Sequence, residues 1–294
     1  MALPIAQDLE EVENPFKIQI DFLRNSVTVQ ERNADRQCFF VREVDPRLGI
    51  EEKMTFDGVE VPMESRTPNV YDTYWPKGQN IEGVKKIAEH FLKTTKLEVL
   101  DQIFIAEHNP VMEILKWFDS LGVKMNHFNL AGAPKDQVNE VSNFVYSDGF
   151  MEKVLINFTS LLETSPGFKP SKLEKVKMGK FSSMFSSWFN GAHWMGMNCG
   201  SLILYESELR EEDINKFLDS WNKGEDDDFL YLSVHMKNGF TLDLQKISNG
   251  LVDEKDIDRT SDGNQSITFT RPSDGKEIEL ELNENGKHFV AYAG

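Results

Sequence analysis

The sequence predicts an α/β protein: a leucine-rich-repeat-like strand–helix solenoid with a parallel sheet, flanked by N- and C-terminal antiparallel β-meanders. Three observations predict it. A six-residue template, apolar-x-x-apolar-x-apolar, is written by Leu100-Asp101-Gln102-Ile103-Phe104-Ile105 and repeated by Met125-Asn126-His127-Phe128-Asn129-Leu130. It recurs as Met151/Val154/Ile156, Leu173/Val176/Met178, Cys199/Leu202/Leu204 and Phe229/Leu232/Val234, with starts 22 to 30 residues apart. That period is the range of leucine-rich repeats, whose units bury one face only by stacking on their neighbours. The second observation is a helical face between successive templates. The third is strict period-2 alternation at both ends of the chain, the mark of half-buried strands.

Residues 1–15 are acidic and unpatterned, a flexible lead-in. Residues 16–80 read as an N-terminal β-meander and loop. Phe16-Lys17-Ile18-Gln19-Ile20-Asp21-Phe22 and Val27-Thr28-Val29 alternate on either side of Arg24-Asn25-Ser26, a hairpin signal. Cys38-Phe39-Phe40-Val41 and Met54 to Val61 continue the pattern to residue 62, and 63–80, with Pro68, Pro76, Tyr71, Tyr74 and Trp75, reads as a connecting loop.

Residues 81–250 read as the solenoid. Ile81, Val84, Ile87, Ala88, Phe91 and Leu92 make the first helical face. Asn109-Pro110 suits a helix start, with Asn as cap and Pro at the first helical position. Ile114, Leu115, Phe118 and Leu121 follow, with Gly122 as the stop. Val138, Val141 and Val145 form a face ended by Gly149; Met184, Phe185, Trp188 and Phe189 one ended by Gly191; Ile214, Phe217, Leu218 and Trp221 one ended by Gly224. Ser165-Pro166-Gly167 and Pro170 interrupt the unit at 159–170. Residues 251–294 form the C-terminal cap, three alternating strands at Ser266–Thr270, Glu277–Leu282 and His288–Tyr292, divided by turn residues, that covers the last edge of the solenoid.

Composition narrows the function classes. Lys plus Arg number 32 against 49 Asp plus Glu, a net charge of −17. Phosphate-rich ligands need a basic footprint, so neither nucleic acid nor an anionic membrane surface is an expected partner. Cys38 and Cys199 are the two cysteines, too few for a disulfide framework and read as buried thiols of a reducing compartment, the cytoplasm or nucleus. No run of about 20 apolar residues offers a membrane span. There is no P-loop, no Gly-x-Gly-x-x-Gly and no Gly-x-Ser-x-Gly elbow, and none of the six histidines has a zinc-ligand spacing. The run Glu225-Asp226-Asp227-Asp228 lacks the alternation and central Gly of a calcium loop. No catalytic residue, metal or cofactor is expected.

The candidate site is the outward face of the repeats, where the third, fifth and seventh template positions point. It places Phe104, His127, Lys153, Leu155, Lys175, Lys177, Ile203, Tyr205 and Tyr231 on one surface. Aromatic and aliphatic anchors beside charges are what protein interfaces use. Lys153, Lys175 and Lys177, three cations in an acidic chain, would suit a partner segment that is acidic or phosphorylated.

Asp213-Ile214-Asn215-Lys216-Phe217-Leu218-Asp219-Ser220-Trp221, followed by Leu230-Tyr231-Leu232, resembles the signature of the nematode F-box-associated domain, type 2. Tyr74-Trp75 is similar to that family's tyrosine–tryptophan segment, and the resemblance extends from about Phe16 onward, sharpest over 197–250. It implies a non-catalytic substrate-recognition module of an F-box ubiquitin-ligase receptor. An F-box docks on a Skp-type adaptor, and no recognisable F-box is found here. This chain alone is therefore expected not to bind the adaptor, and the alternative is a stand-alone scaffold or antagonist.

Overall fold

The computed structural model describes residues 15–43, 49–170, 173, 176–225, 228–252 and 256–294. The acidic lead-in, apart from Pro15, lies outside the described residues. The chain forms two compact units, Met1–Pro134 and Lys135–Gly294, so the segment 81–250 contributes to both. Each is a mixed α/β structure built on an open, partly parallel sheet.

The first unit contains β1 (Phe16–Asp21), β2 (Ser26–Glu31), β3 (Gln37–Glu43), β4 (Lys53–Phe56), β5 (Val59–Thr67), β6 (Val70–Trp75), α1 (Asn80–Thr95), β7 (Val99–Ile105), α2 (Val111–Ser120) and β8 (Lys124–Leu130). The strand order is β8-β7-β1-β2-β3-β6-β5-β4. The first two templates pair in parallel and in register, Leu100 with Met125, Ile103 with Phe128 and Ile105 with Leu130. All six side chains are buried.

The N-terminal part departs from a simple meander followed by a loop. β1, β2 and β3 are antiparallel neighbours, but β3 pairs in parallel with β6, which lies in the stretch read as loop. The turn residues explain the misreading. Pro68-Asn69, a loop marker in the sequence, is the tight turn of the β5–β6 hairpin, with Asn69 at φ +64°. Pro sets the first central position of such a turn and Asn tolerates the left-handed second. Asp57-Gly58, within the stretch read as one strand, has φ of +47° and +83° and joins β4 to β5. Two positive φ values match the right-handed twist of flanking strands. Helix α1 packs across β1 to β4, burying Val84, Ile87, Ala88 and Leu92. Gly83 permits that approach: a Cβ there would lie 2.8 Å from Trp75 and Val41. Asn109 does not cap α2. Its Oδ1 accepts from Ala106 N at 2.8 Å, while its Nδ2 donates to Phe22 O at 3.3 Å, tying the loop to β1.

The second unit contains α3 (Val138–Val145), α4 (Asp148–Met151), β9 (Val154–Ser160), β10 (Lys177–Ser183), α5 (Gly191–Gly196), β11 (Asn198–Ser207), α6 (Glu211–Asn222), β12 (Tyr231–Met236), α7 (Leu244–Ile247), β13 (Asp258–Arg259), β14 (Gln265–Thr270), β15 (Glu277–Leu282) and β16 (His288–Ala293). The order is β13-β14-β15-β16-β12-β11-β10-β9. Strands β9 to β12 are parallel, and β16 closes against β12 in antiparallel fashion, followed by β15 and β14. The expected antiparallel cap is therefore present on the β12 edge.

The fifth and sixth templates hold their register, Leu202 opposite Leu232 and Leu204 opposite Val234. The third and fourth do not. Met151 belongs to α4, and β10 begins only at Lys177, so the residues aligned with Cys199, Leu202 and Leu204 are Met178, Phe181 and Ser183. Phe181 in turn pairs with Phe158 and Ser183 with Ser160. The physical reason is serine in a core slot. Ser160 and Ser183 are fully buried at the sixth position, where an apolar template found no match. Their hydroxyls are satisfied: Ser160 Oγ accepts from Tyr146 Oη at 3.1 Å and Leu162 N at 3.2 Å, and Ser183 Oγ donates to Phe185 O at 3.3 Å. A buried hydroxyl is tolerated only when so paired. Phe158 and Phe181 stack in the core, centroids 5.2 Å apart.

Two glycines read as helix stops have other roles. Gly149 lies inside α4, after α3 has ended at Val145. Gly191 starts α5, so Met184, Phe185, Trp188 and Phe189 precede that helix and do not form it. Asn190 caps α5 through Oδ1, which accepts from Ala192 N at 3.0 Å and His193 N at 3.3 Å; His193 Nδ1 accepts from Asn190 N at 3.2 Å. The helices bury aromatics against the sheet: Trp194 stacks on Phe217 at 3.8 Å, and Trp221 meets Phe269 edge-on at 5.9 Å. Arg271, buried, clamps this end by donating to Trp221 O at 3.2 Å and to Asp274, while its guanidinium lies 4.9 Å over the Trp221 ring.

Candidate protein-binding face

Alternation in a strand sends every second residue away from the core. In the second unit this outer face carries Asn157 and Thr159 from β9, Lys180 and Ser182 from β10, Ser201, Ile203 and Tyr205 from β11, Tyr231, Ser233 and His235 from β12, and His288, Val290 and Tyr292 from β16. Of the residues singled out from the sequence, Ile203, Tyr205 and Tyr231 come together here, all half-buried. Leu155 is half-buried on β9. Lys153 lies in the turn before β9, not on the strand. Lys177 opens β10, exposed, with Nζ 3.5 Å from Asp228 Oδ2. Lys175 lies outside the described residues.

Phe104 and His127 belong to the first unit. They sit half-buried on β7 and β8, where Gln102 pairs with His127 and Phe104 with Asn129. Burial holds His127 below the ordinary histidine range, opposed by Asp101 and assisted by Lys17.

Three rings dominate the face in the second unit. Tyr205 stacks on His235 at 4.4 Å and 9°, and His235 stacks on His288 at 4.0 Å and 13°. Ser233 Oγ lies 3.5 Å from His235 Nε2 and 3.2 Å from His288 Nε2, so one hydroxyl can donate to one ring and accept from the other. Burial lowers both histidines from the ordinary value of 6.5, and for His235 the neighbouring His288 adds to the effect; Glu281 opposes it at His288. The rings are therefore neutral near pH 7, and neutral imidazoles stack without repulsion. Beside them Tyr231 and Tyr292 stand 5.3 Å apart at 51°, with Tyr292 exposed. Beyond β16 the face carries Glu277, Glu279 and Glu281 of β15, all exposed.

Among the described residues no group of three or more His, Cys, Asp or Glu could hold a metal ion. Cys199 is buried, its Sγ donating to Ser201 O at 3.1 Å, and Cys38 is half-buried. No helix among the described residues is long and apolar enough to cross a membrane.

Residues 168–234, spanning β10 to most of β12, match the family described as F-box associated. This segment of the chain is similar to that family. Its helix α6 supplies Ile214, Phe217, Leu218 and Trp221, all buried, which places the signature in the core. Its strands supply Lys180, Ile203, Tyr205 and Tyr231 to the outer side, and Lys177 is exposed at the start of β10. A Caenorhabditis elegans protein, "Skn-1 dependent zygotic transcript 15 protein", is 24% identical over 222 residues, which cover 66% of this chain and 56% of that relative. The match thus spans little more than half of the relative's length. No solved structure matches. The family match supports a protein-interaction role in general terms.

His288, Val290 and Tyr292 were missed as site residues because they come from the C-terminal cap, read only as an edge cover. The signal was available: their period-2 spacing puts all three on one side of β16, and pairing with β12 puts that side beside Tyr231 and His235.

Proposed function

We propose that the outer sheet face of the second unit is a protein-recognition surface, non-catalytic, of the kind that selects substrates in an F-box ubiquitin-ligase receptor. The single observation that carries this reading is the half-exposed strip of Ile203, Tyr205, Tyr231 and Tyr292. Tyrosines on a rigid sheet supply large contact area at small entropic cost. Leu155, Lys153 and Lys177 would form its β9–β10 end, and an acidic or phosphorylated partner segment suits these lysines together with Lys175, which lies outside the described residues. Phe104 and His127 form a separate candidate patch on the first unit. The strand–helix units are, in this reading, of the leucine-rich-repeat type, and the protein acts in the cytoplasm or nucleus without metal or cofactor.

Affinity capture with the wild-type chain and with Tyr231→Ala/Tyr292→Ala, with and without proteasome inhibition, tests the reading. Proteins retained by the first and lost with the second, and enriched on inhibition, are the expected result. Identical protein sets from both would refute the face. The alternative, a stand-alone scaffold or antagonist, predicts the same tyrosine dependence with no response to inhibition. Both versions expect no heat above dilution when the chain is titrated with a Skp-type adaptor.

A further inference from the structure

Resting on the reading of this face as a protein-recognition surface, we infer that its β15–β16 side docks an extended partner segment with Lys or Arg at alternate positions. The observations are geometric. Glu277, Glu279 and Glu281 project from the same side of β15, all exposed. Glu279 pairs with Tyr292 and Glu281 with Val290, so the acidic row runs directly beside the apolar strip. On the other flank the paired residues of β14 are Thr270, Thr268 and Ser266, which bring no charge. Among the described residues no salt bridge reaches any of the three carboxylates. β15 is an inner strand, with β14 and β16 on either side, so the row does not serve to keep a free sheet edge from pairing.

Alternate residues of a strand lie about 6.6 to 6.8 Å apart. Three like charges at that spacing repel one another in the free protein. A second extended chain has the same repeat, so cations at every second position meet the carboxylates one to one. The Tyr231–Tyr292 pair completes the site. Its rings are tilted by 51° with centroids 5.3 Å apart, and Tyr292 is exposed, so a cation or its aliphatic stem can lie against that ring. The carboxylates are close enough to Tyr292 to help hold its phenol above the ordinary range, after burial and Tyr231. The opposite flank has the opposite sign: Lys180 stands on β10 between Asn157 and Ser201. From β15 to β10 there are four strand spacings, about 19 Å. A segment that runs along β15 therefore meets the acidic row and the tyrosine pair, and Lys180 is a separate charge across the sheet.

The test uses the intact chain and a displayed library of random peptides, selected in parallel on wild type, on Glu279→Gln/Glu281→Gln and on Tyr231→Ala/Tyr292→Ala. Thermal melts confirm that each variant folds. Wild type is expected to enrich peptides with Lys or Arg at alternate positions. A labelled peptide from that set should bind the glutamine variant at least about ten-fold more weakly, a difference that added salt shrinks. Enriched peptides with no basic bias that still require the tyrosines would overturn the basic-segment assignment and leave the recognition face standing. Enrichment indifferent to the tyrosines, or none above that variant, would overturn both.

Discussion

His235 and His288 lie directly opposite one another across the β12–β16 pair and stack at 4.0 Å, with a single serine hydroxyl, that of Ser233, within 3.5 Å of both Nε2 atoms. Such a stack holds only while neither ring carries a proton that the other must face. The parallel strands and the antiparallel C-terminal strands of the second unit meet at this contact, so its titration reports on their joint.

The first prediction follows. Burial depresses His235 and His288, and also His193, below the unfolded value near 6.5. In acid the unfolded chain therefore takes up protons before the folded one. Stability from this source is complete above about pH 6.5 and is lost as pH falls through the depressed folded values. The groups facing the pair are Tyr205, Ser233 and the Glu281 carboxylate, which favours the protonated His288 and softens the loss. Melting temperature should drop between pH 7.5 and pH 5.5. In His235→Phe/His288→Phe, which keeps stacked rings without the protons, the drop should be smaller. An unchanged pH slope would exclude the pair as its source.

A second prediction concerns the in/out register. Leu202 and Leu232 face each other, both buried, at the fourth template position. Alanine at either should cost about 2 to 5 kcal/mol as a large-to-small change in a packed core. Gln102→Ala, on the outer side of β7, should stay within about 0.5 kcal/mol. Equal costs by denaturant unfolding would mean that the sides are misassigned.

Gly191 gives a third. A Cβ there would lie 2.5 Å from Asp213 Oδ1 and 2.9 Å from Asp213 Cβ, so α5 starts against α6 only because this position has no side chain. Gly191→Ala should destabilise by about 1 to 3 kcal/mol through overpacking. Gly149→Ala is the matched control, since nothing lies within 4 Å of the added Cβ. Helix propensity there favours alanine by up to about 1 kcal/mol. Chemical denaturation of the two variants should move in opposite directions.

These residues also explain what was legible. Leu100, Met125, Cys199 and Phe229 could be read correctly because their templates use apolar side chains throughout. β9 and β10 could not, because Ser160 and Ser183 do the work of apolar residues once Tyr146 and the backbone satisfy them. Gly191 was misread because a glycine kept for close approach looks, in one dimension, like one kept for a left-handed stop. On the face, Ile203, Tyr205 and Tyr231 followed from alternation alone. His288, Tyr292 and the β15 carboxylates needed the pairing of distant strands, which local periodicity does not encode. The cost of that pairing is loop-closure entropy, and its reward is burial contributed by both partners.

The last prediction separates steering from grip on the proposed recognition face. Lys177 is exposed, and so is its partner Asp228, with an Nζ–Oδ2 distance of 3.5 Å. An exposed pair of this kind contributes about 0 to 1 kcal/mol, so an acidic partner group can displace Asp228 at little cost. Lys180 stands three residues further along β10, on the outer side. Rim charges act mainly on the rate of encounter and its salt dependence, whereas buried apolar anchors act on dissociation. Lys177→Glu/Lys180→Glu should therefore slow association of a captured partner and flatten its dependence on salt, leaving dissociation nearly as it was. Ile203→Ala should do the reverse, shortening the residence time with little change in association. Interferometry on the immobilised chain resolves the two rates. If both variants changed the same rate constant, the division of this face into a charged rim and an apolar centre would be wrong, and the tyrosines alone would have to account for binding.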